Sequence, residues 1–124
     1  VSLKVGEVIT FERTFTAEDV KGFTKISGDE GVHHVTPDEQ GRLVVQGLLT
    51  ATLPTKVGGD YNVLARTMNF EFIRPVFTGD TIICEVTIER FEKQANRTAI
   101  CASFLCKNQH EKEVLKGNFS GVIL

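Results

Sequence analysis

The sequence lacks any apolar run long enough to cross a bilayer. Stretches such as residues 43–45 and 122–124 fall far short of the about 20 residues a membrane-spanning helix needs. It also lacks an excess of positive charge: 14 Lys and Arg stand against 16 Asp and Glu, a net charge of -2. Most nucleic-acid affinity comes from neutralising phosphates, so a nucleic-acid partner is not expected. The first residues, Val1 to Glu7, show no charged region followed by a continuous apolar one, as a secretory signal would, and the expected location is the cytoplasm.

Cysteine is scarce. Cys84, Cys101 and Cys106 are odd in number, have no C-x-x-C spacing and fall in strand-like segments, which predicts reduced, core-facing thiols rather than disulfides. The only histidines are His33, His34 and His110, and neither they nor the cysteines have the spacing of a metal site. Repeats, low-complexity tracts and linkers are absent as well. The 124 residues, 41% hydrophobic and 24% charged, read as one domain over residues 1–124.

What is there follows an informative order. Residues 8–16 alternate weakly and predict an early strand. Thr16-Ala-Glu-Asp19 then offers a capping hydroxyl with acids in the first turn, and Val20, Phe23 and Ile26 form one apolar stripe ending at Ser27-Gly28-Asp29. Residues 29–41 are polar and irregular, and read as a loop. Residues 43–57 are apolar on nearly every side, predicting a buried helix that stops at Gly58-Gly59, with a kink or a late start at Pro54.

The period then changes to two. Leu64, Arg66, Met68, Phe70 and Phe72 share one face of the first of four long strands; the others centre on residues 82–89, 97–107 and 113–122. Short turns between long strands suggest an antiparallel meander wrapped around the buried helix, an α+β domain.

Titratable groups cluster outside the strands only in Ser27-Gly-Asp-Glu-Gly-Val-His-His34. An acid and an imidazole placed between two helices can act on one water, since His gives or takes a proton near neutral pH. The same residues also suit a solvated acidic turn carrying two surface histidines. Gly47 opens the buried helix, where unpartnered amides point outward and can hold a carbonyl oxygen gaining negative charge; it also suits simple close packing.

Taken in order, Phe15-Thr-Ala-Glu-Asp-Val20, Phe23, Ser27-Gly-Asp29, His34, Val45-Gln-Gly47-Leu-Leu-Thr-Ala-Thr-Leu53, Phe70, Arg74-Pro75-Val76 and Thr78-Gly-Asp80-Thr81 resemble the MaoC-like hot-dog dehydratases, the family of (R)-specific enoyl-CoA hydratases. The resemblance runs roughly from Phe15 to Val86. It implies a single hot-dog fold and reversible hydration of a trans-2-enoyl thioester carried on coenzyme A or an acyl-carrier protein. It also implies Asp29 and His34 as the catalytic pair, the Gly47 amide as oxyanion donor, no cofactor or metal, and at least a homodimer. The sequence departs from the family pattern at Gly31-Val32, where the family has Asn-Pro, and at Gln46, where it has His. The segment between His34 and Gly47 also looks shorter than the family's, and His33 beside His34 offers a second candidate imidazole.

Two rivals share the fold. A hot-dog thioesterase resembles its relatives in carrying an acid on or near the central helix, and residues 47–57 contain none. An acyl-thioester-binding subunit without activity would fit the substitutions at residues 31, 32 and 46.

Overall fold

The computed structural model describes residues 3–124. Its elements run β1 (Val8–Thr14), α1 (Ala17–Ser27), α2 (Val32–Val35), α3 (Gly47–Thr50), α4 (Thr52–Asp60), β2 (Val63–Phe72), β3 (Thr81–Lys93), β4 (Thr98–Lys107) and β5 (Glu113–Ile123). The five strands form one antiparallel sheet in the order β1-β3-β4-β5-β2. This is the hot-dog arrangement, with the α3–α4 segment packed on one face of the sheet.

Local chemistry explains α1. The Thr16 hydroxyl accepts from the Asp19 N–H at 3.2 Å while the Asp19 carboxylate accepts from the Thr16 N–H at 2.9 Å, a complete capping box. That backbone bond from Thr16 holds the Asp19 carboxyl below its ordinary range. Gly28 closes the helix at φ 75°, a left-handed conformation that glycine adopts without steric cost.

Three expectations need correction. The meander holds only for β3-β4-β5; β2 crosses to the far edge and pairs with β5, because pairing partners are set by long-range packing and not by the period of a strand. The alternation along β2 also breaks at Arg66, where a bulge lies between the Ala65–Gly121 and Thr67–Ser120 pairs. Val63 packs on the core before it and Met68 and Phe70 after it, so the inward phase flips.

The central helix starts and ends later than its apolar composition suggests. Residues 43–45 lie as a strand-like segment, with Val45 N–H bonded to the Val76 carbonyl and Thr78 N–H to the Leu43 carbonyl, and Val44 bridging Phe77. Helix begins only at Gly47, breaks at Ala51 and resumes with Pro54 in the first turn of α4, where an amide needs no intrahelical partner. Gly58 and Gly59 stay helical, and α4 ends at Asp60, followed by Asn62 at φ 58°. Leu49, Ala51, Leu53 and Val57 are buried against Ile82, Cys84, Val86 and Ile88, while Thr55, Lys56 and Asp60 face outward.

The cysteines are free, with Cys84 directly opposite Cys106 across β3 and β4 and both fully buried. The hydrogen bond between the two thiols, together with burial, pushes Cys84 well above its ordinary pKa, so it stays a neutral core thiol. No helix among the described residues is long and apolar enough to cross a membrane.

Candidate functional site

The end of α1 places Asp29. Gly28 N–H bonds to the Thr24 carbonyl, the Ser27 hydroxyl donates to the Phe23 carbonyl at 2.6 Å, and the same hydroxyl oxygen accepts from the Asp29 N–H at 3.0 Å. Asp29 then turns back on its own loop: Oδ1 accepts from the Gly31 N–H at 3.2 Å. The segment expected to be wholly irregular contains the single helical turn α2, whose first bond runs from His34 N–H to the Gly31 carbonyl.

That turn swings His34 inward. Its side chain is 7% exposed, against 47% for Asp29, and Nε2 lies 3.5 Å from Asp29 Oδ2. Nδ1 lies 2.6 Å from the Val44 carbonyl. A carbonyl oxygen can only accept, so Nδ1 carries the proton and Nε2 of the neutral ring presents its lone pair. The strand-like start of residues 43–45 is what puts the Val44 carbonyl there. His33, the other candidate imidazole, is exposed and tilted against the His34 ring at a centroid distance of 4.0 Å, with no carboxylate within ion-pairing distance among the described residues.

A cleft of about 270 Å³ collects the remaining parts. His33, His34, Gly47, Thr50, Phe72 and Arg74 are among its lining residues. His34 and Gly47 therefore open on the same space; Asp29 is not among its lining residues and stands beside it, against His34 Nε2. A larger cavity of about 340 Å³, between the end of α4 and the start of β2, is lined by Pro54, Gly58, Leu64, Met68, Phe119 and their neighbours and contains no titratable group. Of these two cavities, only the smaller is lined by titratable side chains.

The departures at residues 31, 32 and 46 have physical readings. At Gly31 a Cβ would stand 3.2 Å from carbons of both His33 and His34, so the glycine lets the two rings pack over the loop. The loop is braced by Asp29 Oδ1 and by the α2 turn, without Asn-Pro. Val32 is the first residue of that turn, where proline is well accommodated, and Gly31 before it already has φ -49° and ψ 141°, the extended geometry a residue before proline prefers. Val32→Pro is accordingly expected to raise stability by about 0.4–1 kcal/mol while leaving turnover intact, measured by urea denaturation and steady-state rate.

Gln46 is 1% exposed. Its Nε2 donates to Thr24 Oγ1 at 2.9 Å and to the Val20 carbonyl at 3.3 Å, tying the turn that carries Gly47 to the helix that ends in Asp29. Where the family pattern has His, Gln46 thus serves as a strut. Its Oε1 has no partner among the described residues. Two residues at the cleft, Phe72 and Thr50, were not singled out as site residues, and only their contacts with the cleft reveal them.

Comparison with known proteins agrees with this architecture. A family model described as the thioesterase superfamily matches residues 46–95. The mitochondrial 3-hydroxyacyl-[acyl-carrier-protein] dehydratase of Arabidopsis thaliana is 26% identical over 129 residues, covering 98% of this chain and 78% of that protein. Among solved structures, the (R)-hydratase from A. caviae involved in PHA biosynthesis superposes with a TM-score of 0.84 at 23% identity, over 99% of this chain and 98% of that one. The MaoC-like dehydratase from Rhodospirillum rubrum does so with a TM-score of 0.77 at 16% identity, over 98% and 93%. These likenesses show the hot-dog fold: the curated relatives are 3-hydroxyacyl-[acyl-carrier-protein] dehydratases, and the structural neighbours include an (R)-hydratase and a MaoC-like dehydratase.

Proposed function

We propose that this chain reversibly hydrates a trans-2-enoyl thioester to an (R)-3-hydroxyacyl thioester. The observation that carries the reading is the relation of Asp29 to His34: a carboxylate oxygen and Nε2 3.5 Å apart beside the cleft, with Nδ1 bonded to the Val44 carbonyl. Both are acceptors when the ring is neutral, an arrangement that suits a water donating one hydrogen to each. That water adds through its oxygen to the β-carbon, and its proton passes to the pair. The pair returns a proton to the α-carbon, so the protein ends in the state in which it began.

Charge builds on the thioester oxygen as the β-carbon is attacked. The Gly47 N–H, at the start of α3, has no acceptor among the described backbone bonds and is the donor assigned to that oxygen. No cofactor or metal is needed for this addition.

The substrate is an acyl thioester of coenzyme A or of an acyl-carrier protein. A cleft of about 270 Å³ is smaller than the about 300–1,000 Å³ of usual ligand sites, so much of the carrier arm must lie outside it. The working unit proposed is a homodimer. β2 pairs on one side only, and Leu64 on it, with Leu48 on α3, leaves large apolar side chains 55–60% exposed for a second copy to cover.

The thioesterase reading draws on the matched superfamily model and on Asp60, which the longer α4 brings onto the central helix. Asp60 is exposed, bonded to Lys56 Nζ at 2.6 Å, and does not line the cleft of His34. Crotonyl-CoA separates the alternatives. Loss of the conjugated double bond without release of free thiol is expected; thiol release would establish the thioesterase, and no change with several acyl lengths a binding subunit.

A further inference from the structure

We propose that Phe72 limits what the cleft accepts at the α-carbon, restricting the substrate to enoyl thioesters that carry hydrogen there. This rests on the hydration reading and adds the substrate class. The ring of Phe72 lies directly on Gly47: a Cβ built on that glycine would stand 3.0 Å from Cε1, 3.2 Å from Cδ1 and 3.4 Å from Cζ. Phe70 lies beside it at a centroid distance of 6.1 Å, and Phe104 lies 5.6 Å from Phe70. The ring is 51% exposed and shares the cleft with His34.

The position follows from bond lengths. The α-carbon lies between the carbonyl carbon and the β-carbon, about 2.4 Å from the thioester oxygen. With water delivered to the β-carbon from the His34 side and the oxygen beside Gly47, the α-carbon falls between them, in a cleft of about 270 Å³ that the Phe72 ring already walls. Carbon atoms need about 3.5–4.0 Å between centres, so a hydrogen on the α-carbon fits where a methyl competes with the ring. The flat ring also matches the planar conjugated enoyl group. A misfit of one carbon in such a pocket is worth about 10–200-fold in kcat/KM.

The test compares the CoA thioesters of crotonate and 2-methylcrotonate with wild type, Phe72→Leu and Phe72→Ala, following loss of conjugation and recording thermal unfolding. Wild type is expected to favour crotonyl-CoA at least 10-fold, Phe72→Ala to narrow that preference about 10-fold, and Phe72→Leu to fall between. If wild type accepts both substrates equally, or if the variants lose both activities in step, Phe72 is not the discriminating wall although hydration stands. If wild type hydrates neither substrate nor longer trans-2-enoyl-CoA thioesters, the hydration reading falls and the inference with it.

Discussion

Replacing His34 by alanine is expected to lower kcat about 10²–10⁴-fold, the range for a positioned general acid or base, with little improvement in KM. Asp29→Asn is expected to lose as much. The asparagine oxygen can still accept from the Gly31 N–H, so the loop keeps its brace while the charge facing Nε2 disappears. Asp29 is half exposed, and its variant should unfold at nearly the wild-type temperature. His34→Ala also removes the buried bond to the Val44 carbonyl and should lose some stability, which makes Asp29→Asn the cleaner probe. Two groups that act on one water fail together, so the double variant should be scarcely worse than either single one. Full activity in Asp29→Asn or in His34→Ala would overturn the assignment.

Spacing alone leaves residues 27–34 open between a solvated turn and an acid–base pair, and the resemblance is what selects Asp29 and His34. That the two side chains meet is a local matter. Gly28 ends α1, a few residues return the chain, and one helical turn faces His34 toward Asp29; every step lies within residues 27–34. The edges of β3, β4 and β5 and the α1 capping box were legible for the same reason. The place of β2 was not. Its period reports which side of the strand is apolar but not which strand lies beside it, and the bulge at Arg66 then reverses even that. Residues 43–46 misled because a short apolar run reads alike as strand or helix; pairing with residues 76–78 decided it. The contact of Phe72 with Gly47 joins two residues 25 positions apart in the numbering, and no local signal announces it.

Stability should be most sensitive to a single methyl group at Gly117. This residue of β5 lies opposite Phe70 on β2 and Phe104 on β4, whose rings meet beside it. A Cβ there would overlap the Asn69 carbonyl oxygen of β2 and stand 2.8 Å from Phe104 Cζ. The aromatic ring can rotate, but the backbone carbonyl belongs to the ladder, so β2 must bend away. Gly117→Ala is expected to cost about 3 kcal/mol, the upper end of the usual overpacking range, and to lower Tm by roughly 10 °C. Because β2 also carries Phe72 to Gly47, activity should fall below what the remaining folded fraction accounts for. Gly22→Ala tests the mechanism, since Gly22 sits inside α1 with no atom within 4 Å of where its Cβ would be. There the same methyl reduces the freedom of the unfolded chain and should stabilise by about 0.5–1 kcal/mol. Opposite signs for one chemical change would identify the close approach of β2 to β5, and not glycine's flexibility, as the reason Gly117 has no side chain.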